Sequence, residues 1–226
     1  MTVKRTSLPR IIKIPAEVRA TDALRSQIVE GQIPPGYRIT EVQLAEEMGL
    51  SRATIRTALH ELANEGLLTL VPYTGWTVIE LDSKDVWELY TLRAAVERMA
   101  AQLAAKSQGK EQRTLLSAAL EKLAQACERG SASQIAEADF GFHKAIVDAA
   151  CHRRLSAQYA LIEQQIRVYI RSSDALIAHP SEIIAQHKPM CDAILAYNAE
   201  EAGRLAEEHN LIEGEKLGRS LAAAKE

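Results

Sequence analysis

After Asp82 the chain carries no strand-like run, only Ala- and Leu-rich stretches with helical spacing, interrupted at Gly109, Gly130 and Pro180. This restricts the larger part of the molecule to helices packed on helices. The spacing predicts six of them, at approximately 84–106, 110–128, 132–150, 152–173, 181–198 and 200–222. Composition agrees, because 47% of residues are apolar, only 4% are aromatic, and Ala and Leu dominate, which favours helix over sheet. At 226 residues the chain exceeds the ~100–200 usual for one domain, so two domains are expected.

The first eighty residues are patterned differently. Val18, Leu24, Ile28 and Val29 have helical spacing between Pro15 and Glu30, and Gly31 tolerates a left-handed end. Pro34-Pro35-Gly36 then forces a turn. Thr40 with Gln43 has the spacing of a capping box for a second helix, which turns Leu44, Ala45 and Met48 inward. Gly49 breaks that helix, and Ser51 caps a third running through Ile55, Leu59 and Leu62 to about Asn64. The β-compatible runs Leu67–Val71 and Trp76–Ile79 flank Pro72-Tyr73-Thr74-Gly75 as a hairpin, which after a helix pair reads as a wing. The fold class is mostly α: a winged helix-turn-helix of three helices and a two-stranded wing over residues 15–80, then an all-α antiparallel bundle over 81–226. Residues 1–14 hold Lys4, Arg5, Arg10 and Lys13 and no acid, which suits a flexible arm, either solvated or reaching toward DNA phosphate.

Cys127, Cys151 and Cys191 are odd in number and far apart, so they read as buried, reduced thiols rather than a disulfide framework or a zinc knuckle. No segment approaches the ~18 uninterrupted apolar residues of a membrane span, and the N-terminus lacks a signal-peptide core. A cytoplasmic protein is expected. A net charge of −3 excludes a uniformly basic nucleic-acid binder and leaves the question to local charge.

Arg52 and Arg56 stand four apart at the start of the third helix, hence on one face, where guanidinium groups can reach guanine edges or phosphates. Ser51 and Thr54 add hydroxyl groups at the same helix end. Taken alone, the two arginines could merely pair with Glu46, Glu47 or Glu61; following a capped helix and a glycine turn and preceding a hairpin, they point to DNA. The pattern Gly31, Pro35-Gly36, Leu44-Ala45, Gly49, Ser51-Arg52, Arg56, Ala58-Leu59, Leu62, Glu65-Gly66-Leu67 and Gly75 resembles the GntR superfamily of bacterial regulators over residues 16–80. The resemblance implies DNA contacts from Arg38, Ser51, Arg52, Thr54 and Arg56, with Thr74 and Gly75 at the wing tip. The chain departs from the family pattern at Thr54, often proline, at Thr57, often glutamate, and at Val42, where some members carry arginine.

In the bundle, Asp139 and His143 share a helical face, and His187 and His209 occur among apolar residues of the last two helices. Each residue alone reads as a satisfied side chain, whereas the four from three inward-facing helices suit a divalent transition metal, zinc first, with nickel or manganese as alternatives. The D-x-x-x-H pattern with two later histidines resembles the FCD ligand-binding domain of the FadR branch, nearer its VanR-like subgroup by helix count. That resemblance implies a small organic acid effector beside the metal, assisted by Arg93. Arg167 and Arg171 on the fourth of these helices could add charge or could equally form ordinary surface ion pairs. The resulting reading is a homodimeric repressor of a metabolic operon, binding a palindromic operator in double-stranded DNA. A structural metal without an effector stays open. A metal-dependent hydrolase using Glu97 or Glu182 has no diagnostic spacing behind it, so no enzyme is expected.

Overall fold

A computed structural model describes residues 14–106 and 109–224. The basic arm therefore lies outside the described residues, apart from Ile14. The first helix, α1 (Ala16–Val29), packs Leu24 and Ile28 against α3 (Arg52–Asn64), whose Ile55, Ala58, Leu59 and Leu62 are all buried. Between them lies α2 (Glu41–Met48), which starts at Thr40 because the threonine side chain accepts from the Gln43 amide at 3.3 Å. The reciprocal half of the expected capping box is absent: Gln43 Nε2 bonds Glu47 at 2.8 Å instead. Ser51 caps α3 as expected, accepting from the Thr54 amide at 3.1 Å.

Strands β2 (Leu68–Val71) and β3 (Gly75–Val78) form the predicted hairpin, but the sheet has a third, two-residue strand, β1 (Arg38–Ile39), in the order β1-β3-β2. Two residues are too few to leave a periodic signal. The strand exists because Ile39 is drawn into the core opposite Trp76, where it is 3% exposed. Gly75 is required there, since its φ is +109° and a Cβ would lie 2.8 Å from the Ile39 carbonyl oxygen.

The remainder is helical: α4 (Ser83–Lys106), α5 (Lys110–Arg129), α6 (Ala132–Ala149), α7 (Arg153–Asp174), α8 (Pro180–Leu195) and α9 (Ala199–Ala223). These agree with the predicted six to within a few residues. Helices α4 and α9 pack along their length through small side chains, among them the buried Ala94, Ala101 and Ala104 of α4 and Ala202 and Ala206 of α9. At Gly214 a Cβ would come within 2.6 Å of the Tyr90 Cβ, so any side chain would force the pair apart. No helix among the described residues is long and apolar enough to cross a membrane. The cysteine expectation needs correction. All three are free, but only Cys191 is buried, and Cys151 is exposed at a positive-φ position in the turn after α6.

Candidate functional site

Two features carry chemistry, one at each end of the chain. On the N-terminal portion, Ser51, Arg52 and Arg56 lie exposed along the start of α3. Arg56 is not free: its Nε and Nη2 donate to the two Glu41 oxygens at 2.8 and 2.7 Å, and Arg52 stands 3.7 Å from the same carboxylate. The hydrogen bonds from Arg56 hold the Glu41 carboxyl below its usual range. The pairing partner is thus Glu41 at the first position of α2, rather than Glu46, Glu47 or Glu61. Arg38 is exposed on β1, and Thr74 is exposed at the wing turn with its hydroxyl on the Val71 carbonyl at 3.1 Å. Tyr73, which the sequence reading passed over, is fully exposed there with φ +65°.

In the bundle, the imidazoles of His143 (α6), His187 (α8) and His209 (α9) converge, with one ligand nitrogen from each within 4.8 Å of the others. Asp139 reaches two of them, His187 Nε2 at 3.1 Å and His143 Nε2 at 3.4 Å. Behind His143 sits Glu97, 0% exposed, which accepts four hydrogen bonds: from Arg93 Nε at 2.7 Å, Tyr159 at 3.1 Å, His143 Nδ1 at 2.7 Å and Asn210 at 2.9 Å. Burial works against the Glu97 charge, but Arg93 and His143 outweigh it and keep the carboxyl far below its ordinary range.

An ionised carboxylate only accepts, so His143 must donate from Nδ1. His187 must do the same, because its Nδ1 lies 2.7 Å from the Ile183 carbonyl oxygen. In the neutral rings both Nε2 atoms then present lone pairs to each other at 3.1 Å, beside the Asp139 carboxylate. A proton on one of the rings, or a metal ion among them, relieves this concentration of lone pairs. Burial disfavours a proton on His143, yet Glu97 overrides it and raises that pKa. Burial and the imidazoles of His187 and His143 push His209 well down, leaving it neutral. The donor set could hold a divalent metal, and two of the three rings are aimed from behind by an acceptor.

Residues 16–78 match the bacterial regulatory proteins of the gntR family, and residues 88–211 match the FCD domain. The chain is 30% identical to the HTH-type transcriptional regulator YdhC of Bacillus subtilis over 205 residues, covering 90% of this chain and 91% of that one. The chain belongs to the GntR family. A second relative of this GntR regulator, also 30% identical, over 88% of each chain, is the "Probable D-xylose utilization operon transcriptional repressor" of Paenarthrobacter nicotinovorans. The E. coli McbR/YncC structure superposes on the GntR chain with a TM-score of 0.75 at 24% identity, covering 92% of this chain and 99% of that one, which shows the shared fold. The matched domains and relatives are those of DNA-binding transcription regulators and not of enzymes.

The structure of this GntR regulator sorts the remaining predicted residues. Arg93 lies beside the histidine cluster, stacked 5.6 Å over Tyr90, with its Nη2 buried and unpartnered. Arg167 does not reach the histidines: it pairs with Glu137 and with Glu163 at 3.4 Å and lies 3.8 Å over the Phe140 ring, facing the cleft toward α1. A guanidinium with two carboxylates and a ring already has partners, so a part for it in effector binding would require exchanging them. Glu97 and Asn210 were missed as supports of the site. Their signal was present, because both occupy core-facing positions in otherwise small-residue stripes of α4 and α9.

Asp174, at the end of α7, has a buried Oδ2 without a partner, and burial together with Asp139 and Glu213 pushes its carboxyl up to about 9. Folding near neutrality thus takes up a proton that the unfolded chain, titrating near ~4, does not hold. A raised folded pKa contributes stability that is complete below about pH 4 and is lost progressively as pH rises from there toward about 9. Asp174→Asn should therefore raise the thermal midpoint, and by more at about pH 8 than at about pH 5. Melting curves showing the same gain at both would remove the proton uptake from the explanation.

Proposed function

We propose that this GntR regulator represses a metabolic operon by binding a palindromic operator as a homodimer, and that its operator affinity is set by a small carboxylate bound beside a divalent metal in the bundle. The DNA-reading set is Ser51, Arg52, Thr54 and Arg56 on α3, with Arg38, Thr74 and Gly75 flanking it. The proposed division is a basic arm at 1–14, a reading domain at 15–80 and a sensing and dimerising domain at 81–226. His143, His187 and His209 would hold the metal with Asp139, zinc being the first choice for three imidazoles and one oxygen. The bound metal would offer an open position to a carboxylate oxygen.

The convergence of the His143, His187 and His209 imidazoles with Asp139 supports this reading. Arg93 supports the effector, its unpartnered Nη2 being a buried donor that an anionic oxygen would satisfy. The operon repressor named in Paenarthrobacter supports the direction of control.

Metal removal tests the centre. A ligand at ~1,000 times its dissociation constant stabilises the native state by about 4 kcal/mol, so chelation should lower the thermal midpoint by on the order of ten degrees. His187→Ala should reproduce that fall and leave the protein without stoichiometric metal in elemental analysis. Full metal content in His187→Ala would end the assignment. Persistence of metal together with indifference of DNA binding to every carboxylate tried would leave a purely structural ion.

A further inference from the structure

The outward face of α3 carries a third basic side chain besides its two arginines. Arg52, Arg56 and His60 follow one another at intervals of four, so they form one stripe along the helix. His60 is exposed, and its ring nitrogens have no hydrogen bond or ion pair among the described residues. The ring is nevertheless held. It stands perpendicular to the Trp76 ring with 4.8 Å between centroids, and Trp76 is 2% exposed, anchored in β3 opposite Ile39. A packed ring with both nitrogens open to solvent can meet an outside partner at little cost in side-chain entropy.

The surroundings favour an anion. Hydrogen bonds from Arg56 hold the Glu41 carboxyl below its usual range, and Arg52 and His60 act on it in the same direction. Glu41 is thus the acid facing His60 from α2, Arg56 is the cation one turn back on its own helix, and β3 presents the indole of Trp76. Arg52 and Arg56 less Glu41 leave one net positive charge in this cluster, and a proton on His60 doubles it. Position along the helix decides which part of a duplex the ring meets. Eight residues from Arg52 to His60 give about 12 Å of helix rise, close to the width of the major groove. With the first turn of α3 at the base edges, its third turn lies at the rim of the groove, where the phosphates stand.

We propose that His60 is a further DNA contact of this regulator, pairing as an imidazolium with a backbone phosphate at the rim of the groove that Arg52 enters, so that duplex binding takes up a proton. This rests on the regulator reading above. Histidine is the side chain that changes charge between about pH 5 and 8, so the contact is present at the acid end of that range and is lost as pH rises. A neutral imidazole can still donate one hydrogen bond to a phosphate, but it brings no charge and releases no counterion. Arg52, Arg56 and Glu41 keep their charges throughout that range, which makes the part played by His60 separable from theirs by pH.

The test is fluorescence anisotropy of the full chain with a labelled duplex from upstream of the gene, titrated between about pH 5.5 and about pH 8 at several salt concentrations. The wild type should lose affinity by about fivefold across that range, and its salt slope should be steeper by about one unit at the acid end. His60→Gln should bind at every pH as the wild type does at the alkaline end. His60→Arg should bind at every pH as the wild type does at the acid end. A purely structural role against Trp76 would instead weaken both variants alike and leave their pH profiles as in the wild type. A wild-type profile in His60→Gln therefore overturns the inference, as does a wild type whose affinity and salt slope ignore pH. Should His60→Gln melt early, His60→Arg decides alone: a flat profile at the acid-end affinity supports the contact, and a wild-type profile removes it. A chain that binds the duplex with no pH dependence loses this inference and keeps the regulator reading, whereas a chain that binds no duplex at either end loses both.

Discussion

Glu97→Ala is expected to cost about 3–5 kcal/mol of folding stability, a fall in thermal midpoint on the order of ten degrees. The carboxylate is fully buried and takes hydrogen bonds from Arg93, Tyr159, His143 and Asn210. Removing it strands the Arg93 guanidinium, itself 2% exposed, with no other carboxylate bonded to it. An uncompensated buried charge is far more expensive than a lost surface pair, whose worth is about 0–1 kcal/mol. Glu97→Gln keeps the volume and some acceptor capacity, so it should fall between wild type and alanine. Because Glu97 also fixes the His143 ring, metal affinity should drop by roughly 10–100-fold in the same variant. Denaturant titration gives the first quantity and metal competition the second; a stability loss below about 1 kcal/mol would mean that Arg93 finds another partner.

Arg52→Ala should weaken specific duplex binding by about 1–3 kcal/mol, and relax preference at one base position if the side chain reads a base edge. Arg56 is a different case. It already holds Glu41 through two short hydrogen bonds, so its gain on DNA is the difference between a DNA contact and that ion pair. Arg56→Ala should accordingly cost less than Arg52→Ala. Glu41→Gln should release Arg56, raise duplex affinity and steepen its salt dependence by about one unit of slope. Anisotropy titrations over a range of salt distinguish these outcomes. A Glu41→Gln variant that binds DNA no better would show that Glu41 only spaces the two helices, and an Arg52→Ala loss equal on every sequence would make Arg52 a phosphate contact.

Helices and their ends were largely legible because their causes are local. The caps at Thr40 and Ser51 and the breaks at Gly109, Gly130 and Pro180 act within a turn of where they stand. Strand β1 was not legible, since its two residues are extended only because Ile39 and Trp76 meet across thirty-six intervening positions. The three histidines could be nominated from residue type and inward-facing periodicity. Arg167 was nominated on charge alone, and charge says nothing of whether Glu137, Glu163 and Phe140 have already claimed it.

By itself the sequence determined the class: a capped helix pair with Arg52 and Arg56 at its tip, a glycine-hinged hairpin, and a helical remainder with four candidate metal ligands at core positions. These are periodicities and local hydrogen bonds, which neighbouring residues settle. Tertiary structure alone decided which charges answer which: Glu41 on Arg56 and near Arg52, Glu97 beneath His143, and Arg171 against the turn at Gly31. Such pairings join residues far apart in the chain, and electrostatic free energy depends on distance in space and on burial, neither of which exists until the helices pack.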